Sequence, residues 1–150
     1  MKAIVFEDVR TPVVKEVPMP GIGPDDVLIK VEAAGICGTD VHIYEGEYFS
    51  EFPLIAGHEF SGVVEATGEN VTTVAVSDRV TADPNIGCGK CYFCKINQQN
   101  QCEYLGAVGV TRDGAFAEYV VVPEEKVFSI GDISFQDAAM IEPTSCVVYG

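Results

Sequence analysis

The chain has 150 residues, of which 47% are hydrophobic, so it can form one core of ordinary size and a single domain is expected. Its 23 acidic residues outnumber 9 basic residues and give a formal charge of −14, whereas nucleic-acid binders need clustered cations to neutralise phosphates. Nucleic acid and anionic membranes are therefore not expected as partners.

Short β-branched stretches separated by turn residues dominate the chain and predict mostly antiparallel strands. The predicted strands are Lys2–Phe6, Val13–Val17, Val27–Ala33, Phe60–Ala66, Arg79–Ala82 and Glu118–Val122. In the third strand Val27, Ile29 and Val31 recur at every second position, which places one face on a core. A mainly β fold, either a small barrel or a sandwich, is expected.

Helix signals are few. They predict short helices near Thr39–Tyr44 and Ser134–Met140, and a third helix that starts after Glu142 and Pro143, because proline suits the first helical turn. No apolar run is long enough to span a membrane, and the first seven residues have too short an apolar stretch for a signal peptide. These absences predict a cytoplasmic protein.

Six cysteines in a reducing compartment indicate metal or redox chemistry rather than disulfides. Cys88, Cys91, Cys94 and Cys102 form a C-x2-C-x2-C-x7-C pattern, which can converge tetrahedrally on one zinc ion at about 2.3 Å. A closed shell of four thiolates leaves no position for substrate, so we expect a structural zinc lobe at about residues 84–106.

Two other metal sites with clustered cysteines fit this pattern less well. Ferredoxin clusters place the fourth cysteine after three residues and follow it with proline, whereas here the gap is seven residues and Glu103 follows. A zinc ribbon for nucleic acid would need more cations than the two nearby lysines, Lys90 and Lys95.

A second set of metal-binding side chains is dispersed along the chain. Cys37, His58 and Glu59 supply the thiolate, imidazole and carboxylate that catalytic zinc sites use. Singly, a cysteine beside glycine is more often a core residue and a histidine more often a hydrogen-bonded group. The only two histidines, His42 and His58, both lie in these short motifs.

Over its entire length the sequence resembles the zinc-containing medium-chain dehydrogenases, whose catalytic domain is similar to the barrel of the co-chaperonin GroES. The motifs that carry the resemblance follow the family's order and similar spacing. They are Gly35–Asp40, Gly57–Glu59, the four-cysteine pattern, Gly114–Tyr119 and Glu142–Pro143.

The resemblance implies that Cys37, His58 and Glu142 hold a catalytic zinc, with Glu59 beside it or bound to it. Glu142 stands where classical alcohol dehydrogenases carry a second cysteine. Glutamate followed by proline at this position resembles the polyol and threonine dehydrogenase branches. The more anionic shell favours a polyhydroxy substrate.

The same resemblance implies roles for residues of the first predicted helix. Asp40 would accept the other ring proton of His58, although an ordinary helix N-cap is an equally good interpretation. Thr39 and His42, three residues apart and so on one side of a helix, would form a proton relay from substrate to solvent.

Two further features are interpreted as packing only. Tyr44, Glu45, Tyr48 and Phe49 could face a substrate pocket, but aromatic residues at a barrel edge more often pack, so they are left out of the site. Cys146 is expected to be a small core residue.

The resemblance implies NAD or NADP as the hydride acceptor and a small-molecule alcohol or polyol as substrate. The chain contains no G-x-G-x-x-G motif, so we expect residues 1–150 to be a GroES-like catalytic domain whose nucleotide-binding (Rossmann) domain is missing. Such a chain should turn over no alcohol alone, and the full-length enzyme is expected to be a homo-oligomer. The alternatives are an L-threonine 3-dehydrogenase-like enzyme and a free-standing GroES-like zinc module with a protein partner.

Overall fold

The computed structural model describes residues 1–149 and consists mainly of antiparallel strands. The strands are β1 (Lys2–Phe6), β2 (Pro12–Glu16), β3 (Asp26–Ala34), β4 (Leu54–Ile55), β5 (Phe60–Thr67), β6 (Arg79–Ala82), β7 (Asn85–Ile86), β8 (Gly106–Ala107), β9 (Tyr119–Pro123) and β10 (Val127–Ser129). All six predicted strands are confirmed to within one residue at each end. The short strands β4, β7, β8 and β10 were not predicted, because two or three residues carry no periodicity.

The strands form two larger sheets that one segment joins. The five-stranded sheet has the order β10-β6-β5-β3-β9 and the three-stranded sheet has the order β2-β1-β4. Residues 114–118 connect them: Phe116 accepts a hydrogen bond from the amide of Ile4 (2.8 Å), and the amide of Gly114 donates to Ile55 (2.7 Å). This segment continues into β9, so it joins the three-stranded sheet to an edge strand of the five-stranded sheet.

The core lies on one face of the long strand β3. Val27 and Ile29 are fully buried and pack with Phe60 and Val64 of β5, whereas Lys30 on the opposite face is exposed. A register shift between Leu28 and Ile29 bends the strand, as irregular pairing does in small barrels. The alternation predicted for this strand is confirmed from Ile29 onward, but Leu28, on the opposite face, is also buried (6% exposed).

Four α-helices lie around the strands: α1 (Gly38–Glu45), α2 (Tyr92–Lys95), α3 (Phe135–Ala139) and α4 (Ile141–Tyr149). Helix α1 ends at Gly46, whose φ of 77° is the left-handed conformation that glycine adopts without strain. Its Ile43 is fully buried against Phe6 and Leu54, which fixes the helix on the barrel. No helix among residues 1–149 is long and apolar enough to cross a membrane.

Two predictions at the end of the chain were wrong. Helix α4 starts at Ile141, before Glu142 and Pro143, because proline is tolerated throughout the first turn, where backbone amides have no intrahelical partner. Cys146 is exposed rather than part of the core, since α4 buries none of its residues.

Candidate metal centres

The sulfur atoms of the four-cysteine segment, Cys88–Cys102, converge on one point. Its four Sγ atoms all lie within 4.8 Å of one another. The Cys88–Cys94 and Cys91–Cys102 pairs are each 3.9 Å apart. A regular tetrahedron of thiolates at 2.3 Å from zinc has edges of about 3.8 Å, so the segment fits one zinc ion.

Backbone amides surround these sulfur atoms and favour their ionised form. The Sγ of Cys88 accepts hydrogen bonds from the amides of Lys90 (3.4 Å) and Cys91 (3.3 Å), and that of Cys102 from the amides of Cys88 and Tyr104 (3.3 Å each). Such donors stabilise thiolates.

The pKa values of the Cys91 and Cys94 thiols shift in opposite directions. Backbone amides of Cys94 and Glu103 lower the pKa of Cys91 to about 6. Partial burial, with the neighbouring sulfur atoms of Cys102 and Cys91, raises the pKa of Cys94 to about 12. Four adjacent thiols cannot all ionise without a cation, so the arrangement suits a divalent metal rather than a set of free thiols.

A second group, here called the mixed cluster, comprises Cys37, His58 and Glu59. Cys37 immediately precedes α1, and His58 and Glu59 immediately precede β5. One ligand atom from each lies within 4.8 Å of the other two. His58 and Glu59 are 7% and 6% exposed, so a buried imidazole and carboxylate meet a thiol, a donor set that zinc accepts.

Two glycines make room for the mixed cluster. Gly57 has a φ of 94°, and a Cβ there would lie 2.5 Å from the ring of Phe116. A Cβ on Gly35 would lie 2.4 Å from Oε2 of Glu59, and the amide of Gly35 donates to the carbonyl of Glu59 (2.7 Å). Only glycine allows the backbone to approach this closely.

Asp40 joins α1 to the mixed cluster. Its Oδ2 accepts a hydrogen bond from the amide of Cys37 (2.8 Å), which caps the start of the helix. Its Oδ1 accepts from the amide of Gly57 (3.2 Å) and lies 3.5 Å from Nδ1 of His58. The carboxylate is 2% exposed and belongs to the third residue of α1, whereas Cys37 is the N-cap, so the N-cap interpretation of Asp40 was wrong. Its role as the partner of His58 stays a prediction.

The same contacts set the electrostatics of His58. Asp40, and to a lesser degree Cys37, raise the pKa of His58 to about 9 against the effect of burial. Nδ1 of His58 is buried, and its nearest polar partner is Oδ1 of Asp40 at 3.5 Å. Because Nδ1 faces Asp40, the ring nitrogen left for a metal is Nε2. A metal at this nitrogen would have to displace a proton.

One member of the mixed cluster, His58, lines a cleft of about 360 Å³ together with Thr39 and Glu142. Glu142 faces this cleft, but its carboxylate is not within 4.8 Å of all members of the cluster. Burial raises the pKa of Glu142 above its usual range, and nearby Glu59 adds to this against the opposing effect of His58.

The cleft walls include residues that sequence reasoning left out. Tyr48 and Phe49 are 49% and 96% exposed and line the cleft rather than packing in the core, so the packing interpretation was wrong for both. Tyr44 does pack, edge-on against Phe6. Asn85 and Leu105 also line the cleft, and nothing in their sequence pattern distinguishes them from ordinary loop residues.

The two residues of the predicted relay differ in position. Thr39 lines the cleft, with its Oγ1 3.7 Å from Sγ of Cys37. His42 is exposed, does not line the cleft and shares a hydrogen bond with Glu47 (Nδ1 to Oε2, 2.9 Å). One turn of α1 thus separates a hydroxyl at the cleft from an imidazole at the solvent.

The chain belongs to the family of alcohol dehydrogenase GroES-like domains, whose model matches residues 23–132. This match confirms the resemblance and the GroES-like fold read from the sequence motifs.

Two relatives have different named substrates. The chain is 43% identical to D-arabinitol dehydrogenase 1 of Uromyces fabae over 150 residues, which cover 100% of the chain and 43% of the relative. It is 45% identical to L-threonine 3-dehydrogenase of Symbiobacterium thermophilum over 140 residues, covering 90% of the chain and 40% of the relative. The chain thus spans less than half the length of these curated relatives.

A solved structure has nearly the same backbone. It is that of a candidate zinc-binding dehydrogenase from Sinorhizobium meliloti 1021 bound to NADP, with a TM-score of 0.94 and 45% identity. The match covers 99% of this chain and 44% of the other.

Proposed function

We propose that residues 1–150 form the GroES-like catalytic domain of a longer zinc-dependent NAD(P) oxidoreductase, which oxidises a secondary alcohol of a polyol to a ketone. The convergence of Cys37, His58 and Glu59 beside an open cleft carries this proposal. The additional length of the relatives supports a nucleotide-binding domain outside residues 1–150.

Two metals have separate roles in this proposal. Cys88, Cys91, Cys94 and Cys102 would hold a structural zinc in a lobe of about residues 84–106. Cys37 and His58, with Glu59 and Glu142, would hold the catalytic zinc. Bound there, zinc supplies a Lewis acid that makes deprotonation of an alcohol feasible near neutral pH.

The remaining steps use side chains of this chain. Thr39, at the cleft, would accept a hydrogen bond from the reacting hydroxyl and pass its proton on. His42, exposed one helical turn away, would release that proton to solvent. Asp40 would hold the ring of His58 in one orientation through Nδ1.

The substrate preference rests on two carboxylates, that of Glu142 at the cleft and that of Glu59 in the mixed cluster. Glu59 and Glu142 make the site more anionic than a pair of cysteines and one histidine, which favours neutral polyhydroxy compounds over simple apolar alcohols. The D-arabinitol dehydrogenase relative supports this class.

A second candidate is oxidation of an amino-acid alcohol, because the L-threonine 3-dehydrogenase relative is 45% identical. Steady-state rates with D-arabinitol, sorbitol and L-threonine, each with NAD and with NADP, separate the two. A kcat/KM for L-threonine above that of every polyol would overturn the polyol assignment.

The metal content tests the proposal as a whole. Residues 1–150 should bind two zinc ions per chain, and Cys37→Ala or His58→Ala should each remove one while the four-cysteine segment keeps its own. A single ion, unaffected by these substitutions, would support a zinc module with a protein partner instead. Gln98→Ala, in the four-cysteine segment but outside both ligand sets, is the control.

Activity provides the second readout. The protein expressed with the natural continuation of its gene should reduce NAD or NADP with a polyol, whereas residues 1–150 alone should not. Steady turnover by residues 1–150 would show that no further domain is needed. We also propose that the longer protein is a cytoplasmic homo-oligomer. Light scattering on the purified enzyme would test the oligomeric state.

A further inference from the structure

A second cavity adjoins the cleft of the mixed cluster. It has a volume of about 340 Å³ and is lined by Asp83, Asn85, Gln99, Asn100, Leu105 and Lys126. Asn85 and Leu105 line both this cavity and the cleft, so the two spaces are neighbours on either side of these residues. The second cavity lies between the barrel and the four-cysteine segment, which contributes Gln99 and Asn100.

Lys126 is the buried charge of this cavity. The residue is only 9% exposed, and its Nζ donates to Oδ2 of Asp83 (2.9 Å) and Oε1 of Gln99 (3.3 Å). A lysine ammonium has three hydrogens, so these two acceptors leave one N–H for a further partner. A lysine so well buried is costly unless all its donors are satisfied.

The other polar groups of the cavity also have free hydrogen-bonding capacity. Asn85 donates to Oδ1 of Asp83 (3.1 Å) through Nδ2, which leaves its side-chain oxygen as an acceptor. The side chain of Asn100 makes no hydrogen bond within residues 1–149 and has both a donor and an acceptor to offer.

This combination selects one kind of ligand chemistry. Asp83 neutralises Lys126, so the cavity has no net positive charge with which to bind a phosphate or carboxylate. An apolar tail would leave the amides and the ammonium without partners, at a cost in free energy. Hydroxyl groups both donate and accept, and they match a mixed set of donors and acceptors.

We propose that the second cavity binds the hydroxyl-bearing end of the substrate, on the far side of Asn85 and Leu105 from the carbon that is oxidised. The inference rests on the proposed function and narrows its substrate class to neutral polyols long enough to reach past these two residues. Asn100 and Lys126 are then specificity-determining residues.

The experiment compares a pentitol with a short secondary alcohol in the longer, zinc-loaded protein with NAD or NADP. D-Arabinitol can extend into the second cavity, whereas 2,3-butanediol has no hydroxyl to place there. The readout is the ratio of kcat/KM for D-arabinitol to kcat/KM for 2,3-butanediol. Loss of one hydrogen bond to a charged group should lower this ratio by about 10-fold to 100-fold.

Lys126→Met and Asn100→Leu remove the two polar groups, and each should lower the ratio. The matched controls are Lys95→Met and Gln101→Leu, at exposed residues of the four-cysteine segment that line neither the cleft nor the second cavity, and they should leave the ratio unchanged. Asn100→Leu is informative even if Lys126→Met does not fold, because no hydrogen bond of the fold depends on the Asn100 side chain.

Each outcome has a definite meaning. The inference is supported if the ratio falls in both substituted proteins and not in the controls. If Lys126→Met does not fold, a lower ratio in Asn100→Leu alone, again without a change in the controls, supports it. An unchanged ratio, or an equal loss with both alcohols, overturns it and assigns these residues a purely structural role. If the unsubstituted enzyme oxidises 2,3-butanediol but no pentitol, the proposed oxidoreductase activity stands and the second-cavity inference falls. Lack of activity with every alcohol overturns both.

Discussion

The four-cysteine segment and the mixed cluster bring metal-binding atoms together in different ways. The first takes all four ligands from one stretch of the chain, Cys88–Cys102, and its sulfur atoms face one another at 3.9 Å in two pairs. The second takes Cys37 from the start of α1 and His58 and Glu59 from the start of β5. A local loop can thus enclose a metal completely, whereas ligands carried by a barrel can leave a side open to a cleft.

The two metal-binding groups also differ in what stabilises the chain around them. The four-cysteine segment includes only short helical turns and a polar run, so little apolar burial stabilises it without metal. The mixed cluster adjoins α1 and β5, which are anchored by the fully buried Ile43 and Phe60. We therefore expect metal loss to unfold the first and to leave the fold around the second intact.

The largest expected loss of metal binding and of local stability is in the four-cysteine segment. Cys94→Ser removes one thiolate from a site of a type that contributes about 10–16 kcal/mol of apparent zinc-binding free energy in small zinc domains. One metal ion per chain should be lost, and hydrogen exchange should become fast across residues 84–106. Metal analysis and hydrogen–deuterium exchange measure both.

The matched control for this change is Cys146→Ser, at an exposed cysteine outside the segment. It should leave the metal of the four-cysteine segment in place. Slow exchange across residues 84–106 in metal-free Cys94→Ser would show that apolar packing, and not metal, holds this region.

A smaller effect is expected where Asp40 orients His58. Asp40→Asn keeps the size of the side chain but removes the negative charge 3.5 Å from Nδ1 of His58. Losing such a partner typically lowers metal affinity by about 10-fold to 100-fold. Competition with a chelator should show this loss at the mixed cluster and none at the four-cysteine segment.

Asp132→Asn, at an exposed carboxylate without hydrogen bonds to the described residues, is the control for the general loss of one charge. If Asp40→Asn lowered the metal affinity of both groups equally, the two metal-binding groups would not be independent.

A still smaller effect is expected at Gly35. In Gly35→Ala the new Cβ would lie 2.4 Å from Oε2 of Glu59, so the flexible carboxylate must move, at a cost of about 1 kcal/mol. Metal affinity at the mixed cluster should fall severalfold, as measured by calorimetry. Gly38→Ala, where a Cβ meets nothing within 4 Å, should change neither affinity nor stability to this degree. An equal response of the two variants would exclude Glu59 as the cause.

The smallest effect on stability concerns Glu124, a carboxylate that belongs to neither metal group. Backbone amides of Thr72 and Thr73 donate to Glu124 and lower its pKa. A carboxyl group with a lowered pKa stabilises the folded state above its unfolded pKa, and this stabilisation disappears as pH falls through the folded value. Glu124→Gln should therefore lower Tm at pH 7, and it should leave Tm unchanged at pH values below the pKa of Glu124 in the folded state.

Thermal unfolding at several pH values, with the metal content followed in parallel, measures this effect. Exposed Glu125→Gln is the control. A Tm difference between Glu124→Gln and the unsubstituted protein that persists at the lowest pH would show that ionisation is not the cause.

The sequence predicted the strands well and the edges of the cleft poorly. Val27 and Ile29 alternate along β3 as burial on one face requires, so their prediction was confirmed. Tyr48 and Phe49 have the composition of core residues, yet they line the cleft, because their exposure depends on loops far away in the chain. The prediction that Cys146 lies in the core was wrong for the same reason, since no element among residues 1–149 covers its side of α4.

The sequence by itself determined the four-cysteine segment, because ligands separated by two, two and seven intervening residues can meet without help from the rest of the chain. It also marked Cys37, His58 and Glu59 as candidate ligands, through their residue types and motifs. Only the tertiary structure decided that these three meet within 4.8 Å, that Asp40 touches both Cys37 and Gly57, and that Lys126 is buried against Asp83. Such contacts depend on strand pairing between distant segments, which spacing along one chain does not specify.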